Sequence, residues 1–134
     1  MNQAQTKRIL FLVPYPLEIA PSQRFRFEQY FEALAEKGFE YEVKPFLDES
    51  AMIYLYEQGN FLRKVWKVLF GLLNRFFQLL LLSKYDYVFI HREAAPVGPP
   101  VFEWLITKVF QKKVIFDFDD KENKFKCPQI FLFK

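Results

Sequence analysis

Three short runs of this chain, Ile9–Val13, Tyr85–Ile90 and Lys113–Phe116, are built mainly from β-branched, leucine and aromatic side chains and show no regular polar alternation. A strand with one wet face alternates; a strand covered on both faces does not. These runs therefore predict central strands of a sheet sandwiched between layers of helix. A fourth run, Phe39–Phe46, does alternate. Phe39, Tyr41, Val43 and Pro45 share one side and Glu40, Glu42 and Lys44 the other, which predicts a half-exposed strand near a sheet edge.

The segments between the strands carry helical spacing. Pro21 and Ser22 open a helix, with Ser22 the expected N-cap. Phe27, Tyr30, Phe31, Leu34 and Ala35 form its apolar face, and Gly38 ends it. A weaker helix covers Glu49–Gln58 and breaks at Gly59 and Asn60. A long one covers Phe61–Leu82, and another covers Val101–Phe110, entered through Pro99 and Pro100. Strand and helix alternate throughout. This order predicts an α/β fold: a Rossmann-like open, mostly parallel sheet with helices on both faces. Residues 1–120 read as one domain. The tail, 121–134, alternates basic and aromatic residues and shows no clear element.

Composition narrows the class. The chain has 134 residues, 51% of them hydrophobic, with 18 Phe, which is too apolar for a disordered chain. A net charge of +3 gives no argument for a nucleic-acid partner, where a dense basic stripe is expected. Cys127 is the sole cysteine, so neither an internal disulfide nor a cysteine-rich zinc site can form, which fits a reducing compartment. The first eight residues lack the apolar core of a signal peptide. Arg63, Lys64, Lys67 and Arg75 interrupt the long helix, so no transmembrane segment is expected. Its plainer reading is a helix packed between the sheet and a neighbour; the alternative is a face for a membrane surface.

In an open parallel sheet, ligands bind outside the carboxyl ends of the strands. Pro14, Tyr15, Gln23, Arg24 and Arg26 follow the first strand; His91, Arg92 and Glu93 follow the third; Asp117, Asp119 and Asp120 follow the fourth. The opposite ends carry lysines and Arg8, charges that merely solvate an edge. Arg24 and Arg26 are read in the first turn of a helix, where cations are unfavourable and a bound anion would explain them; pairing with Glu28 or the aspartates is the plainer reading. His91, the only histidine, stands where proton transfer would be useful, although a core histidine with a backbone partner is equally compatible. Asp117 and Asp119 could share a face and hold a hard cation or orient His91, and Asp120 could cap a helix. No dinucleotide fingerprint and no phosphate-binding P-loop occur, and no metal site or cofactor is assigned.

Four stretches together resemble the amino-terminal part of bacterial glycosyltransferases of the family 4 (group 1) class. They are Lys7–Pro14 (KRILFLVP), Pro21–Phe31 (PSQRFRFEQYF), Tyr85–Pro100 (YDYVFIHREAAPVGPP) and Lys113–Asp120 (KVIFDFDD). The resemblance implies one half of a GT-B fold, the acceptor-side domain of an enzyme that moves a sugar from a nucleotide-sugar with retention and without an obligatory metal. It places His91 at the transferred sugar. Arg24 and the proline-rich loop fall on the acceptor side, with Ser22 of the same Pro21–Phe31 motif among the substrate-binding candidates. It implies a sugar or lipid-linked acceptor in cell-surface polysaccharide or glycolipid assembly. The expected location is cytoplasmic, with peripheral attachment to the inner membrane surface through the Phe61–Leu82 helix as the alternative. The sequence departs from the family after Asp120. The expectation is therefore a truncated chain with a divergent tail, inactive without a donor-binding domain. Two rival readings are kept: a D-x-D phosphotransfer enzyme of the haloacid-dehalogenase type using Asp117 and Asp119, and a non-catalytic module binding a membrane or partner chain.

Overall fold

The computed structural model describes residues 6–92, 101–117 and 131–133. Five strands form one sheet: β1 (Lys7–Val13), β2 (Phe39–Pro45), β3 (Tyr87–His91), β4 (Lys113–Asp117) and β5 (Phe131–Phe133). Their spatial order is β2-β1-β3-β4-β5. The first four are parallel, and β5 runs antiparallel to β4. The tail thus contributes a strand where composition suggested none. It pairs with β4 at Val114, Ile115 and Phe116.

The alternating strand β2 lies at the edge, and the apolar strand β1 lies between β2 and β3. Each run takes the place that its water exposure dictates. Helices cover both faces. One face carries α1 (Pro21–Arg26) and α2 (Phe31–Glu36). Ile9, Phe11 and Val13 project there and meet Phe27, Phe31 and Leu34. The other face carries the carboxyl half of α4 (Phe61–Leu80) and α5 (Val101–Trp104) with its continuation as a π turn, Leu105–Val109. Leu10, Leu12, Val88, Ile90 and Val114 project to that side and close on Leu79, Leu82 and Ile106. The chain is thus an open α/β, Rossmann-like fold with its core on both sides of β1 and β3.

The phenylalanines have a specific use. The ring of Phe11 lies 5.5 Å from Phe27, 5.2 Å from Phe31 and 4.9 Å from Phe89, an aromatic layer between helix and sheet.

Local chemistry departs from expectation at the helix starts. Ala20, not Ser22, is the N-cap of α1, because Pro21 takes the first helical position, where its missing N–H costs nothing. The helix then stops after six residues. Phe27 leaves the helical basin at φ −140, Glu28–Tyr30 close as a 3-10 turn, and α2 resumes. Arg24 and Arg26 therefore occupy the last turn of α1, where the helix dipole favours cations, rather than a hostile first turn.

The helix α3 (Glu49–Tyr56) is capped by Asp48, whose carboxylate accepts from the Ala51 N–H. Gly59 and Asn60, both at positive φ, turn the chain into α4. The plainer expectation for α4, burial between the sheet and a neighbour, is overturned for most of its length. Gly71, Arg75 and Leu79 are its buried residues, and none of the first ten residues is buried. No helix among the described residues is long and apolar enough to cross a membrane.

Candidate functional site

Parallel pairing of β3 with β4 sets His91 directly beside Asp117. Paired residues on neighbouring strands project to the same face, and odd-numbered positions of β3 and β4 face α1. His91 is thus the last residue of β3, one position earlier than the sequence suggested, and the ladder itself places its ring. The side chain is fully buried. Its Nδ1 lies 2.7 Å from Oδ2 of Asp117, and Nη1 of Arg26 donates to Oδ1 of the same carboxylate at 2.7 Å. The ring of Phe27 meets the imidazole edge to face at 5.3 Å. Two residues of α1 and its end thus close over two strand ends.

The electrostatics fix the hydrogen on the histidine. Burial pushes the Asp117 carboxyl up, but the His91 hydrogen bond and the Arg26 charge outweigh it and hold the group below the usual carboxylate range. An ionised carboxylate only accepts, so His91 Nδ1 carries a proton and donates it. That leaves Nε2 as the nitrogen available to a second partner, and Nε2 is buried with no hydrogen-bond partner among the described residues. A buried ring nitrogen without a protein partner is costly, and it calls for a ligand, a proton or an ordered water. Nε of Arg75 is the other buried side-chain nitrogen without a partner among the described residues. Each oxygen of Asp117 takes one of two partners, His91 or Arg26.

The other sequence candidates separate into groups. Gln23 is fully buried and its amide is consumed by the loop after β1. Its Oε1 accepts from Tyr15 N–H at 3.3 Å, and its Nε2 donates to the carbonyls of Tyr15 and Pro16 at 3.1 and 3.3 Å. Gln23 supplies the partners that a Pro-Tyr-Pro segment cannot find in a ladder. Pro14 is buried, while Tyr15 and Ser22 are half-buried at the same edge. Arg24 is exposed. Arg92 takes a positive φ of 64, and its N–H donates to the Asp117 carbonyl at 2.9 Å, which ends the ladder just beyond His91. Glu93, Asp119 and Asp120 lie outside the described residues, as do Pro99, Pro100 and Cys127. Among the described residues no group of His, Cys, Asp or Glu could hold a metal ion.

One residue of consequence escaped sequence reasoning. Arg75 was read only as an interruption of an apolar helix. It is fully buried and donates to the carbonyls of Lys44 and Val13 at 2.9 and 3.1 Å, and to Gln78 Oε1 at 2.9 Å. Burial lowers its pKa to about 10, partly offset by Glu103, so it remains charged at neutral pH. It ties the carboxyl ends of β1 and β2 to α4. The sequence carries no signal for this, because its helical period does not say which arc of α4 faces the protein.

A groove of about 330 Å³ between the end of β2 and α4 is lined among others by Lys44, Phe46, Lys67, Gly71 and Gln78; His91 is not part of its lining. Compared with known proteins, the chain matches no family model, no curated protein and no solved structure.

Proposed function

We propose that this chain forms the acceptor-side wall of a glycosyltransferase cleft, with His91 presented to the transferred sugar. The observation that carries the reading is the orphaned Nε2 of His91, held at a strand carboxyl end by an Asp117–Arg26 pair. The crevice outside such strand ends is where open α/β sheets bind ligands. In the reaction, the bond between the sugar carbon and its diphosphate breaks, and the diphosphate leaves with the electron pair. The acceptor oxygen bonds to that carbon and its proton passes to an oxygen of the departing diphosphate. A neutral imidazole fixed by Nδ1–H accepts a sugar hydroxyl at Nε2; a protonated one donates there. Either contact orients the sugar or answers developing charge. The acceptor, a polysaccharide or lipid-linked sugar, would lie along the Pro14–Tyr15 loop and Arg24.

The test is a chimera of this chain with the donor-binding domain of a family 4 glycosyltransferase, assayed for transfer from nucleotide-sugars. His91→Ala is expected to lower turnover by roughly a hundredfold or more, with the circular dichroism unchanged. Transfer that survives His91→Ala at the parent rate would overturn the role given to His91.

A further inference from the structure

The helix α4 is inside out. Leu62, Trp66, Phe70, Leu73, Phe77 and Leu80 recur at spacings of four and three and so share one arc of the helix. That arc points away from the protein: these six side chains are 57–83% exposed. The opposite arc, which faces the protein, is where the polar groups sit. Lys64 donates to the Glu57 carbonyl at 2.7 Å, Lys67 to Ser50 Oγ at 3.0 Å, and Arg75 to the strand-end carbonyls. An ordinary surface helix of a soluble domain has the reverse arrangement.

We infer that this stripe is a docking surface for an anionic lipid bilayer, with α4 lying in the plane of the interface. Its 20 residues span about 30 Å, and the apolar arc runs their whole length without a polar break. Four cations and no acid occur in the helix, and the exposed Arg63 stands on the margin of the stripe, placed to meet lipid phosphates. Trp66 and the phenylalanines suit the boundary between headgroups and acyl chains. A protein partner would be expected to find hydrogen-bonding groups across its footprint, roughly one per 100–200 Å², and among the six side chains of the arc the Trp66 indole N–H is the sole donor. The stripe stands apart from His91, so this inference does not rest on the glycosyltransferase reading.

The whole chain is incubated with phosphatidylcholine vesicles and with mixed phosphatidylcholine–phosphatidylglycerol vesicles, at low and high salt, and bound protein is measured by flotation. Trp104→Phe leaves Trp66 as the sole tryptophan reporter. Binding is expected to favour the anionic vesicles and to weaken with salt, with Trp66 emission shifting to the blue. Trp66→Glu with Phe70→Glu, both outward and exposed, is expected to lower the partition coefficient by roughly tenfold or more while circular dichroism stays the same. Absence of binding to either vesicle overturns the inference, as does binding indifferent to the double substitution. A dimer that the double substitution splits, with no vesicle binding, assigns the stripe to a second copy and overturns it equally.

Discussion

At the scale of single residues, Asp117 does the most. It neutralises Arg26, sets the tautomer of His91 and pairs through its backbone with Arg92. Because its folded pKa is depressed, it contributes stability at any pH above its unfolded value of about 4, and that contribution is lost as pH falls through the lower folded value. Asp117→Asn is therefore expected to cost roughly 1–3 kcal/mol at pH 7. Urea unfolding of both proteins at pH 7 and near pH 3 checks this. The gap between wild type and variant should shrink at the lower pH, and a gap that widens there contradicts the assignment of an ionised Asp117. The pairing was legible as a class: an arginine of the Pro21–Phe31 segment with the aspartates, and Asp117 orienting His91, are both readings that the sequence offers and the structure contains. Arg26 and Asp117 stand 91 positions apart, and only the strand order brings them together. The type of chemistry and the kinds of partner at the strand end could be read; which arginine meets which carboxylate could not.

At the scale of elements, the strands were legible and the orientation of α4 was not. A continuous apolar run has one solution, a central strand, whereas an amphipathic period says that a helix has two faces without saying which one the protein keeps. Arg75 and Gly71 decide the matter. A Cβ on Gly71 would come within 3.1 Å of the Phe46 ring and 3.2 Å of the Phe46 carbonyl, so any side chain there requires the ring or the backbone to give by a few tenths of an ångström. Gly71→Val is expected to destabilise by roughly 1–3 kcal/mol, since it must push on backbone and on a ring that itself lies 5.7 Å from the Arg75 guanidinium. Arg75→Ala is expected to cost roughly 2–4 kcal/mol by leaving the Lys44 carbonyl and Gln78 without their partner and opening a void between α4 and the strand ends. Arg75→Lys should recover only part of it, because an ammonium cannot span the acceptors that a guanidinium fork reaches at once. Thermal or chemical melts give all three values. An Arg75→Ala protein as stable as wild type would mean that α4 is held by Leu79 and Gly71 alone.

At the scale of the whole molecule, the core is lopsided. Buried side chains concentrate above and below β1 and β3 and reach α4 only from Gly71 onward. The first half of α4 touches the rest of the chain chiefly through α3, by the Lys64 and Lys67 contacts. Opening free energies should follow that distribution, because an element with few buried apolar contacts can detach without unfolding the sheet. Backbone amides of Leu10, Leu12, Val88 and Ile90 are thus expected to exchange with solvent deuterium at the rate of global unfolding. Those of α3 and of the first half of α4 should exchange through smaller openings, faster by a hundredfold or more, about 3 kcal/mol. Residue-resolved exchange by NMR, without vesicles, measures both sets. Uniform protection across α4 would show that its two halves open as one unit anchored by Arg75. Fast exchange confined to residues before Gly71 would locate the boundary of the cooperative core at the position where the helix first meets Phe46.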